Sequence, residues 1–467
     1  MRREENRNGG STYVGRAFQH GAKPGRFSSH IPEDRSIEEM YNEDAENAKY
    51  EISDLDQEVT ITGVPEFQKL LKLEDWNNAG FGDLLLRNII KKSHFPKPRR
   101  IQAAVIPLIQ NGWDIVGQAE TGSGKTAAFV LPIINYIMSK GEPNDSKCAP
   151  IALILAPTRE LVGQLYNQTR KFADGTGVTV AKAYGQYDWL KNLMELERGC
   201  NMLFATMGRL KDFVEKKKVK LHNISFFVLD EADRMLNQDS FQNDIMNLVH
   251  SSGFPSDRQT LLFSATFERE VQELAAKVLK NEHAFVSNGK VAAANPLVEQ
   301  NFIEVTSENK FDKLIELLEE DRMDNGDVVR TLVFVQRKQM ADVIALNLVQ
   351  KNIQSSSISG DRVQKQREEA LADFRKGKIK VLVATDVINY DMPNDCVTYV
   401  HRIGRTGRLH RGKATSFINR AKQDPVLIAE VVQVVREVQQ IPPDFLLDIA
   451  NRRAGFMGSQ RMFWSSY

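Results

Sequence analysis

The chain has 467 residues, 42% of them hydrophobic and 26% charged, and its formal net charge is +1. A chain of this length is too long for a single hydrophobic core, so two or three domains are expected. The near-zero net charge excludes a basic field over the whole protein that would attract nucleic acid. Three cysteines without a CxxC pair fit a reducing compartment, and the lack of a signal peptide or membrane-spanning run predicts a soluble, intracellular protein without a membrane partner.

The first residues are unevenly charged. Residues 1–30 carry six Arg and Lys against two Glu, and residues 31–60 carry eleven Asp and Glu against two Arg and Lys. Both stretches are polar with little periodicity, so a disordered tail is predicted over residues 1–57. Its Arg- and Gly-bearing start is a candidate for loose RNA contact, with a solubilising tail as the alternative.

A first series of buried-type strands alternates with helical patterns after this tail. Such alternation is typical of βαβ units, so a domain with a parallel sheet is predicted over residues 58–288. The predicted strands include Ile151–Ala156, Met202–Ala205, Phe226–Leu229 and Thr260–Phe263.

A Gly-rich loop lies between the short apolar run at Asp114 and a helix-like run from Ala127. This order is typical of a phosphate-binding loop, in which backbone N–H groups surround a polyphosphate. Lys125 adds a point charge near the outer phosphates, and Thr126 offers a hydroxyl to Mg²⁺; a Gly-rich turn is the alternative interpretation. The loop residues are Ala119, Glu120, Thr121, Gly122, Ser123, Gly124, Lys125 and Thr126.

An acidic motif follows the strand Phe226–Leu229. An open α/β sheet places ligand chemistry at the carboxyl ends of its strands. Asp230 is therefore expected to hold Mg²⁺ through water, and Glu231 to orient the attacking water. A solvated acidic turn is the alternative, which the phosphate loop upstream disfavours.

A second α/β series follows a linker predicted over residues 289–299. It implies a second domain at 300–447, followed by a flexible tail at 448–467. The predicted elements are helix Lys310–Glu320, strand Thr331–Val335, helix Lys338–Lys351, strand Ile353–Ile358, helix Gln364–Lys376 and strand Ile379–Thr385.

Together these motifs resemble those of DEAD-box ATP-dependent RNA helicases, and within them the Vasa-like members, over roughly residues 58–447. The resemblance implies an α/β fold of two tandem RecA-like parallel-sheet domains with flexible tails. It implies ATP and Mg²⁺ as cofactors, and RNA-stimulated ATP hydrolysis coupled to local duplex unwinding or remodelling. It also implies RNA bound mainly through its backbone, ribonucleoprotein-granule proteins as candidate partners, and a cytoplasmic location, with perinuclear germ granules or the nucleus as alternatives. The oligomeric state stays open.

The resemblance extends to adenine recognition. The segment from Phe95 to Gln102 resembles the family's adenine motif, in which the aromatic ring stacks on the base and the amide offers a donor and an acceptor to its edge. Trp76 occupies the upstream aromatic position of that motif. The usual Pro-Thr-Pro is replaced by Pro98-Arg99-Arg100.

Further residues match the family's RNA and coupling motifs. The residues that the resemblance implies couple ATP hydrolysis to domain movement are Asp233, Ser264, Thr266 and His401. Arg405 and Arg408 resemble arginine fingers that reach the γ-phosphate. Met207 stands where Pro is usual, and Gln186 where the family has Gly. The implied RNA contacts are Pro157, Thr158, Arg159, Gly185, Thr206, Gly208, Arg209, Gly360, Arg362, Gln364, Arg367 and Thr385.

One family segment is missing. The run ending at Val387 passes directly into Ile388, without the Arg-Gly-Leu-Asp loop that relatives have there. Adjacent parallel strands need a crossover of at least about ten residues, so one strand must be lost or displaced. We therefore expect ATP binding by the first domain but poor hydrolysis, whether through a skipped exon, a faulty gene model or a regulatory isoform. The rival hypothesis is a decayed RNA-binding scaffold, while a DNA-dependent motor is disfavoured.

Overall fold

The computed structural model describes residues 30–48, 58–119, 122–141, 148–236, 240–251, 253–288, 297–323, 326–360, 362–384, 389–406 and 412–452. The chain divides into two compact units. The first is Glu33–Ala292, and the second is Ala293–Tyr467 together with the residues up to Pro32. Among the described residues, no helix is long and apolar enough to cross a membrane.

The first unit is built on an eight-stranded sheet in the order β1-β8-β2-β7-β6-β3-β5-β4, in which only the pairing of β1 with β8 is antiparallel. The strands are β1 Val59–Thr62, β2 Asp114–Gln118, β3 Ala152–Leu155, β4 Val180–Ala183, β5 Met202–Ala205, β6 Phe226–Leu229, β7 Gln259–Ser264 and β8 His283–Asn288. All four strands predicted in this unit are present.

The helices of the first unit cover both faces of this sheet. Along β3, Leu153 and Leu155 enter one hydrophobic core and Ile154 the other, because side chains alternate across a strand. A sheet buried on both faces needs continuous apolar strands, as these are. The helices are α1 Ile37–Asn47, α2 Glu66–Lys69, α3 Asp83–Arg87, α4 Arg100–Gln110, α5 Lys125–Ser139, α6 Arg159–Phe172, α7 Trp189–Glu197, α8 Met207–Glu215, α9 Ala232–Leu236, α10 Phe241–Val249 and α11 Arg269–Val278.

Helix α1 corrects the expectation of a disordered tail for this stretch. Asp34, just before the helix, pairs with the buried ammonium of Lys182 at 2.6 Å, and Asp44 pairs with the buried ammonium of Lys171. A buried cation is costly without a counter-charge, so the acidic residues before β1 serve as partners of the first unit. The acidic composition of the segment predicted a disordered, solvated chain. Composition does not show which cations the carboxylates will pair with in the folded protein.

The second unit is also a parallel α/β layer. Its strands are β9 Val298–Glu304, β10 Thr331–Phe334, β11 Ser355–Ile358, β12 Val381–Ala384 and β13 Gly412–Ile418. Strand β12 lies between β10 and β11, and β13 pairs with β9, all in parallel register. The helices are α12 Lys310–Glu320, α13 Lys338–Gln350, α14 Gln364–Arg375, α15 Cys396–Ile403 and α16 Pro425–Glu437. Each helix and strand predicted here is present, with ends shifted by one or two residues.

The missing segment has a visible consequence in this sheet. Strand β12 takes its expected place, while Asn389 forms only isolated parallel bridges to Phe334 of β10 and Ser416 of β13. Residues 385–388 lie outside the described residues. The chain after β12 thus reaches the far side of β10, where Asn389 forms single bridges in place of a strand.

Two predicted boundaries also shift. Strand β9 already begins at Val298, inside the stretch predicted as linker. Residues 444–452 are helical, and Leu446 and Ile449 are fully buried, so the predicted start of a flexible tail at 448 falls inside an ordered helix. The helical spacing of these two apolar residues anchors the end of the second unit.

Candidate nucleotide and RNA site

The Gly-rich loop joins β2 to α5 at the carboxyl edge of the first sheet. Gly122 and Gly124 have φ values of +93° and +96°, in the region that favours glycine. A Cβ at Gly124 would lie 2.6 Å from Nε2 of Gln102, so a side chain there would displace the Gln102 amide. Glu120 and Thr121 lie outside the described residues.

Lys125 opens α5 and its side chain is buried beside the loop. Its Nζ donates to the carbonyl oxygen of Ala119 at 2.6 Å, so the ammonium spans the loop from one end to the other. Thr126 follows on the same helical turn and is half-buried. A helix N-terminus with an adjacent ammonium is suited to a polyphosphate.

The adenine-motif residues are tied to this loop. Gln102 is 2% exposed; its Oε1 accepts from the backbone N–H of Arg99 at 2.9 Å, and its Nε2 donates to the carbonyl of Gly124 at 3.1 Å. Arg99 in turn donates to the carbonyl of Gly122 at 2.6 Å. The departure from Pro-Thr-Pro thus adds a guanidinium that holds the phosphate loop, a role that sequence reasoning missed.

The two aromatic residues of the motif differ in their access to a base. Phe95 is half-buried, with its ring edge-on to Phe172 at 5.8 Å and Nζ of Lys171 at 5.7 Å from its centroid. Trp76 is 1% exposed within the hydrophobic core. The assignment of Trp76 to nucleotide contact is therefore corrected: it supports the core, because an indole enclosed on all sides cannot stack on a ligand.

The acidic pair lies at the end of β6 and is buried. Burial raises the pKa of Asp230 to about 7, with Lys125 lowering it and Glu231 raising it further. Glu231 has a φ of +55°, which is strained for a residue with a side chain, and its Oε2 accepts from Arg234 at 2.9 Å. Arg234 was also missed; the signal is its position three residues after Glu231, in the helix that follows it.

Asp233 connects this motif to the end of β7. Its Oδ2 accepts from the backbone N–H of Ala265, and from both the backbone N–H and the hydroxyl of Thr266, each at 3.2 Å. The hydroxyl of Ser264 accepts from the backbone N–H of Asp233 at 3.3 Å. The structure thus brings together the predicted coupling residues of the first unit.

The donor set suits a nucleotide with its metal. Among the described residues, no group of three or more His, Cys, Asp or Glu side chains could hold a metal ion by itself. Mg²⁺ usually binds through one or two carboxylates together with substrate phosphates and water. The buried Asp230 carboxylate fits that requirement, because burial raises its pKa and a bound cation would compensate for the lost solvation.

Beyond the phosphate loop, the same sheet edge presents three neighbouring strands, β3, β5 and β4, with helix N-termini after each. Thr158 caps α6 by accepting from the N–H of Leu161 at 3.2 Å, while Pro157 precedes it. The Nη2 atom of Arg159 lies 3.3 Å from where a Cβ of Gly185 would be. Thr206 precedes α8, which carries the exposed Gly208. These groups together suit phosphates.

The guanidinium of Arg209, which is predicted to contact RNA, is already bonded to groups of the protein. It donates to the carbonyl of Tyr187 at 2.8 Å and to Oδ1 of Asn192 at 3.2 Å. Burial lowers the pKa of Arg209. Its guanidinium therefore stabilises the loop after β4, and an RNA contact by Arg209 stays a prediction.

Two of the predicted residues of the second unit are bonded to neighbouring carboxylates. Arg362 pairs with Asp342 at 3.2 Å, and Nε2 of Gln364 donates to Glu368 at 3.1 Å. The other residues of this set are Gly360, beside Lys338; Arg367, His401 and Arg405, each half-buried; and Thr385 and Arg408, outside the described residues.

Comparison with known proteins identifies this arrangement. Residues 99–274 match the DEAD/DEAH box helicase model, and residues 309–389 match the helicase conserved C-terminal domain. A probable ATP-dependent RNA helicase DDX4 from Pelophylax lessonae is 44% identical over 417 residues, 85% of this chain and 56% of that protein. The chain belongs to the DEAD-box helicase family.

Other relatives agree with this assignment. The probable ATP-dependent RNA helicase DDX4 of Homo sapiens is 43% identical over 401 residues, 80% of this chain and 54% of that protein. This DEAD-box chain thus spans about half the length of the curated relatives it matches.

A solved relative, S. cerevisiae Dbp5 bound to RNA and ADP BeF3, is 27% identical with a TM-score of 0.67, covering 79% of this chain and 94% of that one. The likeness confirms the predicted DEAD-box architecture of two RecA-like domains. The match to the C-terminal helicase model ends at residue 389, just after the position where the Arg-Gly-Leu-Asp loop is missing.

Proposed function

We propose that this chain is an ATP-dependent RNA helicase in which RNA-stimulated ATP hydrolysis drives local duplex unwinding or remodelling. The observation that carries the proposal is the convergence at one sheet edge of the phosphate loop, the acidic pair and Thr266. Asp233 joins the last two through three hydrogen bonds at 3.2 Å. A protein that only binds nucleotide does not need a link between the acidic motif and the end of β7. A motor does, because it must transmit the state of its nucleotide to the rest of the protein.

The residues of the first unit have distinct proposed roles. Lys125 would leave the carbonyl of Ala119 to bind the outer phosphates, and Phe95 and Gln102 would recognise adenine. Thr126, and Asp230 through water, would hold Mg²⁺, which neutralises developing charge on the phosphates when bound. Glu231 is placed to orient water, held by Arg234 at 2.9 Å.

RNA is proposed to run along the ends of β3, β5 and β4, next to the nucleotide half of the edge. The order β2-β7-β6-β3-β5-β4 places the two halves side by side on one sheet. Contacts there are to backbone phosphates and sugars, so little sequence preference is expected. The names of the relatives support RNA as the substrate. A germ-cell, cytoplasmic setting with granule proteins as partners is proposed from the Vasa-like resemblance alone.

The hydrolytic activity of this exact chain is proposed to be low. The missing loop would have carried an Asp that the family uses at the nucleotide and a segment that contacts RNA. Asn389 retains only bridges to Phe334 and Ser416 in place of a strand. This favours, as a second candidate, an isoform that binds ATP and RNA without efficient turnover.

Binding assays separate these possibilities from an unrelated function. The chain should bind a fluorescent ATP analogue, and should bind RNA more tightly in its presence. Lys125→Ala should abolish nucleotide binding, because the ammonium is the side-chain cation of the first unit that is proposed to bind the outer phosphates. Lys140→Ala, at the other end of α5, is the matched control and should bind normally. Nucleotide binding that is equal in both variants would refute the assignment.

Nucleotide choice provides a second prediction. Gln102→Ala should weaken ATP binding by about 1–3 kcal/mol and reduce the preference for ATP over GTP, since a buried amide pair is lost. Gln110→Ala, on the same helix but bonded to the carbonyl of Ala79, should change neither. Competition titrations with the four nucleotides measure this, and an unchanged preference in Gln102→Ala would exclude adenine recognition by this residue.

A further inference from the structure

The position of Gln186 is unusual in two independent respects. Its φ is +65°, in the left-handed region where glycine is favoured. Its Oε1 is buried and has no hydrogen-bond partner. Both features are unfavourable in the isolated fold, and a glycine would remove both. A residue kept in such a conformation indicates a function that offsets the cost.

The surroundings of Gln186 indicate what that function involves. On one side, the guanidinium of Arg159 lies against Gly185. On the other side, Arg209 donates to the carbonyl of Tyr187 at 2.8 Å. Gln186 thus lies in the loop after β4, between two neighbouring residues that each lie against an arginine, at the half of the sheet edge proposed for RNA.

The chemistry of the unpaired atom narrows the choice of partner. A carbonyl oxygen only accepts hydrogen bonds, and phosphate oxygens cannot donate one. The backbone group of RNA that can donate is the ribose 2′-hydroxyl, which is also the group that distinguishes RNA from DNA. A sugar that links two phosphates held by cations lies between them, as Gln186 does.

We propose that Gln186 is a specificity-determining residue that accepts a hydrogen bond from a ribose 2′-hydroxyl and so makes this chain prefer RNA over DNA. This inference rests on the proposed function. The side chain loses no hydrogen bond at its Oε1 when it turns toward RNA, because none is made there beforehand.

The test compares oligoadenylate and oligodeoxyadenylate of about twelve nucleotides, which differ only in the 2′-hydroxyl, with a non-hydrolysable ATP analogue present. Fluorescence polarisation of the full chain should show that Gln186→Gly lowers the RNA-to-DNA affinity ratio about five- to tenfold, as expected for one hydrogen bond. Gln186→Gly should also unfold at higher denaturant, because the left-handed conformation is relieved. Gln186→Ala should lower the affinity ratio equally but gain less stability than Gln186→Gly, because alanine keeps the left-handed conformation; the pair separates the amide from the backbone.

Gln439→Gly is the matched control, since Gln439 has a φ of +60° but is exposed in the second unit; its affinity ratio should be unchanged. A ratio within about twofold of the parent in Gln186→Gly would overturn the inference while leaving the proposed function intact. Failure of the parent chain to bind either oligonucleotide would instead count against the proposed function itself.

Discussion

Inserting the family's Arg-Gly-Leu-Asp crossover between Val387 and Ile388 should raise RNA-stimulated ATP turnover by at least about 100-fold, the scale of losing preorganised transition-state contacts. The inserted chain has the length to return to the opposite sheet edge and form a full strand between β10 and β13, where Asn389 now makes single bridges. It also restores an Asp and an RNA-contacting segment to the second unit. Steady-state phosphate release with and without RNA measures the gain.

Two controls separate chemistry from chain length. A Gly/Ser insertion of equal length should restore the strand but not turnover, because it carries no functional side chains. Glu231→Gln in the restored chain should remove the gain, since water would no longer be oriented. Full turnover by the present chain, or no gain after restoration, would contradict the account of the missing segment.

The present sheet has a local repair that explains how a shortened chain still folds. The backbone of Asn389 accepts from the N–H of Phe417 at 2.9 Å, and its side chain donates to the hydroxyl of Ser416 at 2.9 Å. Arg402, buried on α15, donates to the carbonyl of Asp391 at 2.9 Å. The backbone carbonyl and side-chain amide of Asn389 are thus paired, which avoids the cost of leaving them unsatisfied.

Replacing Asp230 with Asn should stabilise the first unit by about 2–4 kcal/mol at about pH 8 while abolishing ATP hydrolysis. Burial raises the pKa of Asp230 to about 7, against an unfolded value of about 4. Between these two values the folded protein retains a proton that the unfolded chain releases. The stability of the parent therefore falls as the pH rises from about 4 to about 7, and stays low above it.

The measurement is urea unfolding followed by tryptophan fluorescence across this pH range. Three of the four tryptophans, Trp76, Trp113 and Trp189, lie in the first unit, so most of the signal reports on it. The gain from Asp230→Asn should shrink as the pH falls toward about 4.

Asp114→Asn is the matched control for this experiment. Asp114 is equally buried but accepts from the backbone N–H groups of Thr260 and Lys280, so its substitution should lower stability. If Asp230→Asn were no more stable than the parent at high pH, or if its gain did not depend on pH, the cost assigned to the ionised carboxylate would be wrong.

Such a cost is consistent with a functional site. Asp230 carries a charge that burial opposes, and Glu231 has a strained φ of +55°. The packing of the surrounding sheet, here the fully buried β6, offsets the free-energy cost of holding functional groups in unfavourable states. The same reasoning applies to Gln186 at the other half of the edge.

The order of helices and strands could be predicted from sequence because it depends on local patterns. Runs such as Phe226–Leu229 are apolar throughout. Such a run, downstream of a Gly-rich loop, is typical of a parallel strand that is buried on both faces. The missing Arg-Gly-Leu-Asp loop rests on the family resemblance and stays a prediction.

Other features depended on contacts between distant parts of the chain. The aromatic character of Trp76 suggested a ligand, but whether a ring faces a base or the core depends on what packs over it. The acidic residues near Asp44 indicated disorder by composition, yet their partner Lys171 is on α6, more than a hundred residues away. Charge pairs of this kind have no local signal.

The sequence by itself therefore determined the family, the two α/β series, the phosphate loop and the acidic motif, because each depends on residue type and short spacing. The tertiary structure decided which side chains meet: Arg99 on the carbonyl of Gly122, and Asp233 on Thr266. It also decided the strain at Gln186 and the bridge at Asn389. These depend on the geometry of the folded sheet, which brings strand ends together irrespective of their separation along the chain.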